Sequence, residues 1–299
     1  MSSSATLGLG VAALSAGVGQ PEATAAVAAA LDAGVRYFDA APYYGLGQGE
    51  LALGGALREL GSDGLTLSTK VGRTVDPETR QWHFDYSRDA VLRSLDASLG
   101  RLGVAAVDTV YVHDPDNHER EALDGALPAL LELRDEGVIG AVGAGMNQWQ
   151  MPLRFIRELD LDVLLIAGRY SLLDAGAAGE LLPECRDRGV AVVLGGVYNS
   201  GVLANPRDGA SFDYRPASEQ HLARARAIQE VARRHGVELR DAALAFSRAH
   251  PAVTSVLLGA SSAQQVRANV AAWSADVPAA LWPELAGLGL LPEGAVIPE

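Results

Sequence analysis

The sequence predicts a closed (β/α)8 barrel of the TIM type with a C-terminal tail, and three observations carry that reading. Eight short β-prone runs alternate with longer helical patterns along the chain. Four of the helical patterns stop at a glycine, the residue that ends a helix in the left-handed conformation at least steric cost. The run 107–112 is continuously β-prone with few polar interruptions and 191–194 is wholly apolar, as expected of parallel strands covered on both faces.

The elements follow in order. A strand over 6–10 opens the alternation, and a helix over 21–33 follows, stopped by Gly34. The triplet 37–39 and the run 65–70 give the second and third strands. A helix over 87–102 ends at Gly103 before a strand over 107–113, and another over 125–136 ends at Gly137 before a strand over 139–145. Strands over 163–166 and 191–194 flank a helix over 180–188 that stops at Gly189. The loop 199–216, with Gly201, Pro206, Gly209 and Pro216, is longer than most connections in compact domains, which marks it as functional. A strand over 253–258 and a helix over 262–271 complete the barrel, and a tail containing Trp282 is expected to pack across it. The competing topology is an open doubly wound sheet, which carries G-x-G-x-x-G between its first strand and helix; here Gly8-Leu9-Gly10 is followed by Ala13.

The 299 residues are 48% apolar and 20% charged, the balance of a globular chain with a large core. No linker or repeat divides them, so a single domain over 1–299 is expected. The 24 basic and 37 acidic residues give a net charge of −13, which opposes nucleic acid and anionic membranes as partners. Cys185, the one cysteine, excludes an internal disulfide and fits a core position in a reducing compartment. No charge precedes Glu22, but that segment lacks a basic stretch and is diluted by Ser and Gly. Neither a signal peptide nor a membrane span is read there, and a cytoplasmic protein is expected. No H-E-x-x-H pair or carboxylate cluster implies a metal.

Of the 24 basic residues, every one but Lys70 is arginine. Lysine and arginine are near-equivalent on a helix surface but not in a site, because only lysine is a compact ammonium whose pKa moves readily. Barrel enzymes place their chemistry at the C-terminal ends of strands. There the sequence offers Asp39 on the second strand, Lys70 on the third and His113 on the fourth, with Tyr44 five residues beyond Asp39. A phenol is a poor acid or base at neutral pH, and a neighbouring ammonium favours phenolate and lowers its pKa. Asp39 would hold Lys70 charged, and an imidazole at His113 would orient a substrate oxygen beside Tyr44. Together they point to carbonyl–alcohol interconversion on a small-molecule substrate, with hydride from a cofactor.

The segment 34–45, with four residues between Asp39 and Tyr44-Gly45, resembles the signature of the aldo-keto reductase superfamily. The stretches 68–73, 108–114 and 143–147 resemble it further, and the likeness runs from Thr6 to about Trp273. The resemblance implies Tyr44 as general acid or base, Lys70 and Asp39 as its tuning pair, and His113 as the residue that orients substrate. It implies NAD as cofactor, with NADP as the alternative, Asn147 holding the nicotinamide carboxamide and Asn199, Ser200, Gly201 and Leu203 in the loop around the pyrophosphate. Gly259, Ser261, Gln265 and Asn269 match the adenosine side. The segments 84–87, 113–116, 168–174 and 195–201 are most similar to the aldose 1-dehydrogenase and pyridoxal 4-dehydrogenase subgroup. Two departures stand out. The N-terminal hairpin that closes the barrel floor in many members is shortened or absent, and Gly195 stands where many members support the nicotinamide with an aromatic ring, leaving Tyr170, Trp149 and Tyr198 as rings that could replace it. Two other classes share these features: a barrel aldolase using Lys70 as a Schiff base, and a cofactor-binding regulatory subunit.

Overall fold

The computed structural model describes residues 5–298, apart from 16 and 77. Eight parallel strands close into a barrel: β1 Thr6–Gly10, β2 Tyr37–Asp39, β3 Thr66–Val71, β4 Thr109–His113, β5 Ala141–Met146, β6 Val163–Ala167, β7 Ala191–Gly195 and β8 Val253–Gly259. Each pairs with its chain neighbours, and β1 closes the ring against β8. The strands run within two residues of the expected boundaries, and Lys70 is the penultimate residue of β3 rather than its last. The glycines expected to stop helices, Gly34, Gly103, Gly137 and Gly189, all have φ between 71° and 83°. Cys185 is fully buried.

Helices cover the outside, so each strand's outward residues enter the main core while its inward residues fill the lumen. The lumen holds Tyr37, Tyr111, Val163, Leu165, Val193 and Leu257. Gly143 in β5 makes room for this layer: a Cβ there would overlap the Val163 carbonyl and stand 3.0 Å from the Tyr111 ring. Because side chains alternate along a strand, residues two positions beyond the lumen layer also point inward, one storey higher. Asp39 lies two beyond Tyr37, Lys70 two beyond Ser68 and His113 two beyond Tyr111. The strand period thus delivers all three polar groups to the same mouth.

Several elements depart from the sequence expectation. The helix Leu127–Asp135 is preceded by Glu119–Glu121 and a π-helical turn, Ala122–Ala126. The helices Gln48–Leu60, Gln150–Glu158, Glu219–Arg234 and Leu239–Arg248 complete the outer layer, and an antiparallel hairpin, Arg73–Val75 with Trp82–Phe84, rises after β3. The loop after β7 carries its own short hairpin, Ser211–Phe212 with Arg215–Pro216. The tail forms a helix, Leu281–Gly287, that packs on the outer helices instead of crossing the barrel. Trp282 is buried near Phe246, Glu284 pairs with Arg234 and His235, and the Leu290 carbonyl accepts from Arg224. Among the described residues no hairpin precedes β1.

Below the core, His250 makes stability sensitive to acid. Its Nδ1 accepts the Ala252 N–H at 3.1 Å, and its ring stands edge-on to Tyr170. Burial first, then the charge of Arg186, pulls its pKa down to about 4. Below about pH 6.5 the unfolded chain binds a proton that the fold refuses. Stability from this group is therefore complete above that pH and is lost as pH falls toward 4, by about 3 kcal/mol in total. Chemical denaturation at pH 7.5 and pH 4.5 should show that loss, and His250→Asn should make it smaller.

Candidate active site

At the barrel mouth Lys70 is 1% exposed, and its Nζ donates to Asp39 Oδ2 at 2.5 Å and to the Ala40 carbonyl at 2.9 Å. Ser68 Oγ donates to the other Asp39 oxygen at 2.7 Å, and Tyr37 and Tyr111 continue the chain of hydroxyls down the lumen. The Lys70 ammonium stands 4.8 Å from the centre of the Tyr44 ring, and the His113 ring meets that ring edge-on at 5.8 Å. All four sequence candidates therefore share one rim. Tyr44 reaches it from the turn before Gln48–Leu60, where buried Glu50 accepts from Thr69 and Arg101 and so ties that helix to β3.

Burial would depress the Lys70 ammonium, but the carboxylate of Asp39 and the oxygen of Tyr44 outweigh it and raise its pKa. A buried, ion-paired ammonium is a poor nucleophile, which argues against a Schiff-base lysine. His113 is pulled well below the usual histidine range, first by burial and then by the charges of Lys70 and Arg73, so its imidazole is neutral. Its Nδ1 is buried without a partner in the fold. Tyr44 differs from the sequence expectation. Lys70 does lower its pKa, but burial is the larger effect and the phenol is pushed up to about 12. The site holds a protonated Tyr44 beside a fixed cation.

The family model described as the aldo/keto reductase family matches residues 6–288. The chain belongs to that family. It is 40% identical to pyridoxal 4-dehydrogenase of Microbacterium luteolum, over 95% of this chain and 94% of that one. It is 36% identical to D-threo-aldose 1-dehydrogenase of a Pseudomonas species, over 91% and 89%. An aldo-keto reductase of Bacillus halodurans, solved in its holo form, matches with a TM-score of 0.79 at 26% identity, covering 97% of this chain and 93% of that one. As an aldo/keto reductase the protein is an NAD(P)-dependent oxidoreductase that interconverts carbonyl and alcohol in small molecules. Among the described residues no helix is long and apolar enough to cross a membrane.

The residues matched to the cofactor lie along the same rim. Asn147 follows β5, and its Nδ2 donates to Asp114, leaving the amide oxygen as the group it can offer. In the loop after β7, Ser200 is exposed, and a Cβ on Gly201 would meet nothing within 4 Å. Asn199 is turned inward instead: its amide accepts from Ser171 at 2.5 Å and donates to the Gly168 carbonyl, and Leu203 is fully buried. These two side chains anchor the loop, so only their backbone can face a ligand. Gly259 closes β8 and is exposed, a Cβ there standing 3.8 Å from the Ala13 methyl, and Asn269 donates to its carbonyl. Gln265 folds back to accept from Ser261, while Ser262 caps the helix Ala263–Trp273. Open glycine backbone beside a capped helix N-terminus fits an anionic dinucleotide. Of the rings expected to replace the one missing at Gly195, Tyr170 is excluded, since it is buried, stacks on Phe246 at 5.0 Å and accepts from the Val296 N–H.

Sequence reasoning assigned no role to the wall beside His113. Arg73 crosses from the hairpin to Tyr43, its guanidinium carbon 4.7 Å from that ring, and pairs with Asp114 at 3.1 Å. Asp114 has φ 40°, a strained conformation for a residue with a side chain, and it also accepts from the backbone and side chain of Asn147. The signal was present only as a cation three residues after Lys70 and an acid next to His113.

Proposed function

We propose that the protein dehydrogenates a cyclic hemiacetal, an aldose lactol or ring-closed pyridoxal, to the corresponding lactone, with NAD as the preferred cofactor. The observation that supports this best is the convergence of Tyr44, Lys70, Asp39 and His113 on one rim around a buried ion pair. Two relatives, named for pyridoxal and for D-threo-aldose, support the substrate class, since both compounds close into hemiacetals. When bound, the nicotinamide supplies a hydride acceptor. Tyr44 takes the hydroxyl proton of the substrate as general base, and returns it as general acid in the reverse direction. Lys70, held charged by Asp39, stabilises the phenolate that this requires. Neutral His113 hydrogen-bonds the reacting oxygen through a ring nitrogen. Asn147 offers its amide oxygen to the carboxamide, Ser200 and Gly201 border the pyrophosphate, and Gly259, Ser261, Gln265 and Asn269 border the adenosine.

The preference for NAD rests on that last group. A 2′-phosphate is normally met by Arg or Lys, whereas a ribose hydroxyl needs only polar partners. The rim presents Ser261, Ser262 and Gln265, with Arg267 exposed further along the helix. Aldoses and pyridoxal should generate reduced cofactor, followed by its absorbance, and kcat/KM should favour NAD. A preference for NADP above about tenfold, worth ~1.4 kcal/mol, would overturn the cofactor assignment. No reduced cofactor from any of these substrates would overturn the reaction.

A further inference from the structure

The wall beside His113 carries an inference that rests on this reading and deepens it. The hairpin strand Arg73–Val75 leaves the mouth directly after β3, so Arg73 stands three residues beyond Lys70. Its guanidinium carbon lies 4.7 Å from the Tyr43 ring centre, 5.5 Å from Phe84 and 5.8 Å from Trp82. Trp82 meets Tyr43 and Phe84 edge-on, each at 5.1 Å, and Tyr43 meets His113 edge-on at 6.0 Å. A continuous aromatic path therefore leads from the candidate reaction centre to an exposed rim, where Trp82 and Phe84 are 40% and 38% exposed. The two chain neighbours that Arg73 touches are informative: Tyr43 precedes Tyr44, and Asp114 follows His113.

Arginine carries five N–H donors in a fixed planar fork. Asp114 forms an ion pair with Nη2 at 3.1 Å, and the Nε donor is buried with no partner in the fold. The Arg73 side chain is 17% exposed, so part of the fork is open to a bound acceptor. The pair is electrically balanced, so it does not call for a charged substrate. It offers donors from Arg73 and acceptor capacity from Asp114, beside aromatic faces on which a ring can lie.

We propose that Arg73, with Asp114 and Trp82, is the specificity wall for the hydroxylated ring of the substrate. Arg73 and Asp114 read oxygens next to the reacting carbon, and Trp82 packs on the ring itself. The substrate class is thereby narrowed to rings that carry a hydroxyl near the hemiacetal carbon, on the adjacent carbon in aldopyranoses and one carbon further in pyridoxal. Trp82 requires only the ring; Arg73 requires its hydroxyls.

Two lactols separate these contributions: an aldopyranose, and 2-hydroxytetrahydropyran, which undergoes the same oxidation without ring hydroxyls. Arg73→Lys keeps the charge that acts on His113 but removes the fork. It should raise KM for the aldopyranose about tenfold or more, the weight of a hydrogen bond to a charged group, while kcat/KM for the unsubstituted lactol stays within about threefold. Trp82→Ala should raise KM for both. Titration of the aldonolactone into protein loaded with oxidised cofactor, a pair that cannot react, should show the same Arg73 dependence. An equal loss on both lactols in Arg73→Lys, no loss on either, or no lactone binding by the unaltered protein would overturn the proposal. Lactone binding that depends on Arg73, in a protein that oxidises neither lactol, would instead overturn the proposed reaction and keep the wall.

Discussion

Tyr44→Phe is expected to slow single-turnover hydride transfer by roughly 10² to 10⁴, the range for a positioned general acid or base, while dinucleotide affinity stays unchanged. The geometry makes the two readouts separable. The phenol lies against Lys70 and His113 on the substrate side of the rim, whereas the residues matched to the cofactor lie across Asn147, the loop after β7 and the end of β8. Phenylalanine keeps the ring and its edge-on contact with His113, so packing changes little. A hydride-transfer rate within about threefold of wild type would remove Tyr44 from the chemistry, because the loss expected of a general acid or base is far larger.

Lys70→Arg should be nearly as damaging although it conserves charge. Lys70 is 1% exposed, and its Nζ is shared between Asp39 and the Ala40 carbonyl. A guanidinium is larger and planar and brings five donors to a place shaped for a point charge. Overpacking of this kind typically costs about 1 to 3 kcal/mol of stability. Displacement of the cation from Tyr44 also removes the stabilisation of phenolate, so oxidation should fall by about 10² or more. Lys70→Met is the harsher structural test, since it strands a buried Asp39 carboxylate and should cost about 3 to 5 kcal/mol in denaturant unfolding. Wild-type rates in Lys70→Arg would show that the ammonium has no special place.

The fold was legible because its signals are local. Glycine at Gly34, Gly103, Gly137 and Gly189 marks helix ends by backbone chemistry alone, and apolar strands betray burial on both faces. The helix Gln48–Leu60 gave no such signal, because Gly49, Gly54 and Gly55 lower its helical propensity. Gly54 is there for packing, since a Cβ would overlap the carbonyls of Arg101 and Leu102. That reason exists only once the helices Gln48–Leu60 and Arg88–Leu102 touch. The same division holds at the site. Asp39, Lys70 and His113 follow from strand ends and period two, but the wall of Tyr43, Arg73, Trp82 and Asp114 depends on a hairpin that brings distant residues together. Asn199 and Leu203 show the converse: a matched position says which loop carries a residue, not which way its side chain turns.

The pH dependence of hydride transfer in the oxidising direction tests the central claim most directly, because Tyr44 and His113 predict different curves. Burial pushes the Tyr44 phenol up to about 12, whereas burial and the neighbouring cations hold His113 well below its usual range. If Tyr44 is the base, the logarithm of the single-turnover rate rises with a slope near one from about pH 7 past pH 9, and the reducing direction is flat over that range. A rate that is already level by about pH 6.5, the usual histidine range, and stays level above it would place the proton on His113 and contradict the account.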